Sequence, residues 1–344
     1  MKTSLLRFLR SPVDGSELRL ECREERDGEV VEGTLLDESG TPFPIREGLP
    51  LFAEDASDDP TFAYKWSILG RYGHEGPSKR TRRDWYLQRF GFGTEEALAD
   101  SIGGKAVLDA GCGSGVDTRM FADCGAHVIA ADLAQPAAAA TYAQVGDRDN
   151  VHVIQADIRK LPFAPESFDY ISSDQVLHHT PDTFESLAAI RRHVRKGGRV
   201  AAYVYRRKGP IREFADDFIR SQTTIMSADE CMAFSRSITE LGRALTEVNA
   251  EVNLTEAIPL LGIGAGAQDV QRFFYWNVMK CFWNPDYDYD LNVLVNFDWY
   301  HPKFAYRHTP DEVRKWFERL GLELERLHVD EPGISAVGRA SGNS

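Results

Sequence analysis

Residues 107–115 read VLDAGCGSG: a short apolar run, an acidic residue, then glycine at three alternate positions, Gly111, Gly113 and Gly115. An apolar run that ends in a glycine turn reads as a buried strand feeding a loop where backbone can approach a ligand closely. Several cofactor families share such a loop, and the flanking residues discriminate among them. A Walker-type phosphate loop needs Lys and Ser or Thr after its last glycine, whereas Val116 and Asp117 follow Gly115 here. The dinucleotide pattern G-x-G-x-x-G fails at Val116, and Asp109 sets a carboxylate at the strand end, facing the place a pyrophosphate would occupy. A cationic ligand suits the loop better than an anionic one.

From about 105 to 206, strands and helices alternate: AVLDAG, HVIAAD, VHVIQAD, FDYISSDQVL and RVAAYVY are the successive strands. The segment TPDTFESLAAIRRHVRKGG reads as a helix capped by Thr180, with Pro181 in its first turn and Gly197-Gly198 at its end. This order predicts an α/β fold, a doubly wound Rossmann-like sheet. Residues 1–55 read as a small β-rich domain, followed by the acidic boundary AEDASDDP; 62–206 form the core. Residues 207–303 interrupt the alternation with a polar helical half and an aromatic half, and are expected to form a substrate lid. Residues 304–340 complete the core, with Thr309-Pro310-Asp311-Glu312 as a capping box before the helix EVRKWFERLG and two last strands.

Asp132 ends HVIAAD and Asp157 ends VHVIQAD, so three successive strands each finish in an Asp at the carboxyl edge, where open α/β sheets bind ligands. Each Asp alone reads equally as a helix cap or turn residue. Together they suit S-adenosylmethionine, which carries an ammonium, a sulfonium, a ribose diol and an adenine but no phosphate. Asp109 then answers the ammonium, Asp132 the ribose hydroxyls, and Asp157 with the Ile158 backbone the adenine.

Composition narrows the partners. Lys plus Arg is 40 against 53 Asp plus Glu, a formal charge of −13, so the chain is a poor general binder of nucleic acid or anionic membranes. The basic run Lys79-Arg80-Thr81-Arg82-Arg83 reads as a solvated face. The five scattered cysteines lack a C-x-x-C pair, which argues for free thiols and against a cysteine metal site; no metal is expected. No segment resembles a signal peptide or a membrane span, so a cytoplasmic protein is expected. The oligomeric state has no sequence signature here.

The motifs VLDAGCGSG, AADLAQ, QADIRKLPFAPESFDYI, SDQVLHHTPD and RKGGRV together resemble those of class I S-adenosylmethionine-dependent methyltransferases, particularly the small-molecule, methyltransferase type 11-like branch. The resemblance covers roughly residues 62–206 and 307–340. It implies a seven-stranded sheet whose last strand runs antiparallel, and cofactor contacts from Asp109, Gly111, Gly113, Gly115, Asp132, Leu133, Asp157 and Ile158, with Ser173 and Asp174 near the methyl end. The first 55 residues resemble a small zinc-ribbon-like domain, but Ser11-Pro12-Val13-Asp14 stands where that family has C-P-x-C, and the second cysteine pair is missing. Its metal is therefore not expected, while the ending F-P-I-R-E-G-L-P is kept.

Methyl transfer from a sulfonium is an in-line displacement that needs positioning and exclusion of water, with a base only for acceptors that must lose a proton. Candidates for that work are Asp174, His178 and His179, with Gln175, after the fourth strand; each histidine reads equally as a structural hydrogen bonder. A second group is Asp298, Trp299, Tyr300, His301, Tyr306, Arg307 and His308, in which Arg307 would bind a substrate anion and His301 or His308 would act as base; Trp66 is a further substrate candidate. The expected function is methyl transfer to a small organic molecule. Methylation of tRNA or protein, a non-catalytic cofactor-binding partner or sensor, and an NAD-dependent oxidoreductase are the competing readings.

Overall fold

The chain divides into two compact units: Met1–Val204 with Pro310–Val329 and Ile334–Ser344, and Tyr205–Thr309 with Asp330–Gly333. The computed structural model describes residues 1–53, 61–69 and 76–342, apart from the side chains of 69 and 76–81. The acidic boundary at 54–60 and the side chains of Lys79, Arg80 and Thr81 lie outside the described residues.

The first unit begins with an antiparallel meander, β1 (Arg19–Arg26), β2 (Glu29–Leu36), β3 (Pro42–Arg46) and β4 (Leu49–Pro50). Alternation turns Leu35, Phe43 and Ile45 inward and Val30 joins them beyond a register shift between β1 and β2, while the charged β1 is exposed along most of its length and guards the sheet edge. The Ser11 turn is built from hydrogen bonds. Ser11 Oγ donates to Asp37 Oδ2 at 3.0 Å, and Asp37 Oδ1 accepts from Ser39 Oγ and from the Thr41 amide, both at 2.7 Å. No cluster of His, Cys, Asp and Glu with metal-binding geometry occurs among the described residues.

Helices α1 (Thr61–Leu69), α2 (Gly76–Phe90) and α3 (Glu95–Ile102) precede the parallel strands β5 (Ala106–Ala110), β6 (His127–Asp132), β7 (Val151–Gln155), β8 (Phe168–Ser173) and β9 (Val194–Arg206). Helices α4 (Val116–Asp123), α5 (Gln135–Val145) and α6 (Thr183–Arg191) connect them. Val107, Leu108, Val128, Ala130 and Ile171 are fully buried, the continuous apolar pattern of strands covered on both faces.

The start and end of α6 differ from the sequence reading. Asp182 is the N-cap, accepting from the Glu185 amide at 2.9 Å, and Thr180 instead donates its hydroxyl to Leu177 O at 2.7 Å. The helix stops at Arg191 and Gly197-Gly198 lie in β9, because a Cβ at Gly198 would stand 2.9 Å from Asp169 O of β8. Close strand approach, rather than a helix end, explains that glycine.

In the second unit, α7 (Pro210–Thr223), α8 (Ala228–Glu247), the β10–β11 hairpin (Glu251–Leu254, Gly266–Asp269), α9 (Val270–Asn277), α10 (Tyr289–Tyr300) and β12 (Arg307–His308) follow in order. The chain then returns to the first unit through α11 (Pro310–Arg319), β13 (Leu322–Val329) and β14 (Gly333–Ala340). The main sheet has the order β13-β14-β9-β8-β5-β6-β7; β14 is antiparallel to β13, and β12 pairs beside β9 at Tyr205 and Arg206. The chain direction switches sides at β5, between β6 and β8, which is where such sheets open a crevice. No helix among the described residues is long and apolar enough to cross a membrane.

Candidate active site at the carboxyl edge of the sheet

The glycine loop follows β5 at the switch point. Gly111, Gly113 and Gly115 have φ of 95°, 56° and 85°, and Gly115 is the N-cap of α4. All three also leave no room for a side chain: a Cβ would stand 2.2 Å from Val176 Cγ2 at Gly111, 2.6 Å from Trp66 Cζ2 at Gly113 and 2.8 Å from Thr141 Cγ2 at Gly115. Left-handed backbone and close packing both select glycine here.

The strand-end carboxylates gather behind this loop. Asp109 is buried and accepts from Thr118 Oγ1 at 2.5 Å. Burial first, then the neighbouring Asp117, pushes its carboxyl up to about 8, with Asp174 and Asp132 adding to the effect against the Thr118 hydrogen bond. Asp117, two residues after the last glycine, is pushed up to about 6 by burial, with Arg82 and Arg89 opposing and Asp174 reinforcing. Asp132 accepts the Gly113 and Ala134 amides, each at 2.9 Å, which fixes it toward the loop while burial raises its pKa.

Asp174 ion-pairs with Arg89 of α2, whose guanidinium lies 3.6 Å from the Trp85 ring centroid and 4.6 Å from that of Tyr203. Among the described residues, Arg89 Nε and Nη1 and Asp174 Oδ1 are buried without hydrogen-bond partners. Tyr86 of the same helix joins Tyr170 at 2.8 Å and Ser172 at 3.0 Å through its hydroxyl. Ser173 donates to Ala110 O at 3.0 Å, tying the ends of β8 and β5 together. Gln175 has φ of 62°, a left-handed backbone rare for a residue with a side chain, and such strain concentrates at functional turns.

The remaining candidates of the first unit stand as follows. Leu133 offers its carbonyl to Gln155 Nε2 at 3.0 Å, and Ile158 is buried. Asp157 is chelated by Arg159, Nη2 to Oδ2 at 2.6 Å, a partner the sequence reading does not assign. The His178 and His179 rings are 4.2 Å apart, with Phe62 5.0 Å from His179. Asp117, Thr118, Arg82 and Arg89 were missed. Asp117 and Thr118 carry a local signal, polar residues in the first turn of a helix that follows a glycine loop; the two arginines carry none, because Arg89 meets Asp174 across 85 residues and Arg82 acts on Asp117 from a separate helix.

The second-unit candidates have partners of their own. Trp299 Nε1 donates to Asp216 Oδ2 at 2.9 Å, Tyr300 Oη to Lys280 O at 2.7 Å, and His301 Nε2 to Met226 O at 3.2 Å, with its ring stacked on Phe297. Arg307 is shared between Glu213, at 2.9 Å, and Asp217, whereas an anion-binding role needs an uncommitted guanidinium. Asp298 is half-buried, His308 pairs in β12, and Tyr306 is 41% exposed.

Part of the chain is similar to known proteins. Residues 108–202 match the family model described as a methyltransferase domain. The chain is 38% identical over 96 residues to malonyl-[acyl-carrier protein] O-methyltransferase of Pseudescherichia vulneris, covering 28% of this chain and 37% of that protein. It is 34% identical over 102 residues to the ubiquinone biosynthesis O-methyltransferase of Aromatoleum aromaticum, covering 29% and 43%. The chain thus spans less than half the length of either relative. A solved structure of Burkholderia thailandensis 1,6-didemethyltoxoflavin-N1-methyltransferase aligns with a TM-score of 0.41 at 15% identity, over 93% of this chain and 100% of that one.

Residues 108–202 thus carry a methyltransferase domain, and S-adenosylmethionine is the cofactor of such a domain. The residues present fit it: buried carboxylates in like-charged company favour a cation, and the loop offers backbone rather than side chain.

Proposed function

We propose that the protein transfers the methyl group of S-adenosylmethionine to a small organic acceptor. One observation carries this reading: Asp109 and Asp117 are buried together beside the glycine loop, where burial holds both carboxyls above their ordinary range, an arrangement relieved by a cationic ligand and aggravated by a pyrophosphate. Asp109, with Asp117, answers the ammonium; Asp132 and Leu133 hold the ribose, Asp157 and Ile158 the adenine, and Ser173 the methyl end. When bound, the cofactor supplies a methyl group already activated by its sulfonium.

The protein's remaining task is to orient the acceptor and take up its proton. Gln175, His178 and His179 follow β8 directly and are assigned to it, with one histidine as base for a hydroxyl acceptor. The O-methyltransferase names of two relatives favour oxygen as the acceptor atom. The net charge of −13 favours a small molecule over nucleic acid. Residues 205–309 are the candidate for acceptor choice, with the exposed Tyr306 the first residue to test there.

Calorimetry with S-adenosylhomocysteine and with NAD tests the reading; binding of NAD without S-adenosylhomocysteine overturns it. Once an acceptor is found, His178→Ala or His179→Ala should lower turnover by roughly 10²–10⁴ if that residue is the base, with S-adenosylhomocysteine affinity unchanged.

A further inference from the structure

The segment that carries the adenine-side residues is fastened at both ends by the amino-terminal domain. At its start, Leu51 pairs in parallel with Gln155, and the Phe52 amide donates to Gln155 O at 2.9 Å. At its end, Leu9 pairs antiparallel with Phe163, and the Arg10 amide donates to Pro162 O at 2.8 Å. Asp157 and Ile158 lie between the two fastenings. The apolar side chains agree: Leu5, Leu9, Phe43 and Ile45 share one core with Ile154, Ala156, Ile158 and Phe163.

Gln155 extends this support to the next strand. The residue is 1% exposed, and its side-chain amide donates to Leu133 O at 3.0 Å, while the following Ala156 amide donates to Asp132 O at 2.9 Å. One buried glutamine therefore joins the Phe52 strand, the Asp157 segment and the Asp132 turn. A buried amide that bridges two backbone segments fixes their spacing, because leaving Leu133 O without a donor is unfavourable.

We propose that the amino-terminal domain presets the nucleoside half of the cofactor site, and that Gln155 is the positioning residue through which it does so. The idea rests on the assignment of Asp132 and Asp157 to ribose and adenine. Its physical content is preorganisation: ordering of residues 155–163 is completed on folding, so it does not have to be supplied when the ligand binds.

Two full-length variants test it. Gln155→Met keeps the length and removes the amide; Phe52→Pro removes the donating N–H. In the ligand-free protein, hydrogen exchange at residues 156–160 should speed up in both variants while exchange in β5 and β8 stays as in the parent. Calorimetry should show S-adenosylhomocysteine and 5′-methylthioadenosine, which lacks the amino-acid end, both weakened by about tenfold, the loss of a single hydrogen bond's worth of affinity. Unchanged exchange at 156–160 in folded variants overturns the support. Faster exchange with both affinities unchanged overturns the positioning role of Gln155. If the variants show faster exchange but the parent protein binds neither compound, the cofactor assignment fails while the support stands.

Discussion

The two units of this protein bury charge in opposite ways. In the second, Arg212 and Asp216 are each 1% exposed and form an ion pair at 2.5 Å, and Asp216 also accepts from Trp299 Nε1 and from the Lys280 amide. Arg307 divides itself between Glu213 and Asp217. In the first, Asp117, Asp174 and Asp132 all act on Asp109 as like charges; Asp174 is paired with Arg89, whereas Asp109 is answered by a hydroxyl. Paired buried charge is a structural device. Buried carboxylates kept in repulsive company do not stabilise the fold in their ionised form, and their place at the carboxyl edge of the sheet is the reason they are proposed to face the ligand.

The largest expected effect comes from removing a carboxylate on the paired side. Asp216→Ala strands the Arg212 guanidinium and should cost about 3–5 kcal/mol in denaturant unfolding of the full chain. Asp109→Asn, the same loss of charge on the repulsive side, should leave the ligand-free protein as stable or more stable at pH 8. Equal losses at the two positions would break the contrast between the units.

Next in size, Asp132→Ala should weaken S-adenosylhomocysteine by about 1–3 kcal/mol in calorimetry, the range for lost hydrogen bonds to a charged group. An unchanged affinity would remove Asp132 from the ribose site.

A pH series sharpens the same contrast. Asp109 has a folded pKa of about 8 against an ordinary 3.8, so the folded protein holds a proton the unfolded chain releases. The stability this contributes is complete below the ordinary value and is lost as pH rises through about 8. A cationic ligand prefers the ionised carboxyls, so S-adenosylmethionine affinity should climb between the values of about 6 for Asp117 and about 8 for Asp109, with proton release on binding. Calorimetry in buffers of different ionisation enthalpy measures that release; flat affinity and no released proton would contradict the assignment. At the small end, Arg236→Ala should leave the melting temperature unchanged, since its 3.6 Å pair with Asp290 is solvent-exposed.

What was legible in the sequence follows from distance along the chain. β5, β6 and β7 could be read because an apolar run and its terminal Asp lie within six residues of each other, and the same short motifs carried the cofactor. The start of α6 was misread because Thr180 and Asp182 are both good caps, and only the observed bond to Glu185 chooses between them. Arg89 and Gln155 could not be read at all: one acts on Asp174 and the other receives Phe52, and nothing local to either residue announces so remote a partner. In the second unit the richness of polar handles at 298–308 was real, but much of it is spent within that unit, on Asp216, Glu213, Asp217 and backbone carbonyls.

The contact between Trp66 and Gly113 gives the molecule an optical reporter. The indole lies against the loop whose amide orients Asp132, so a ligand settling on that loop changes the polarity around one of six tryptophans. Trp66→Phe should abolish the ligand-dependent part of the fluorescence and leave the emission of the other five.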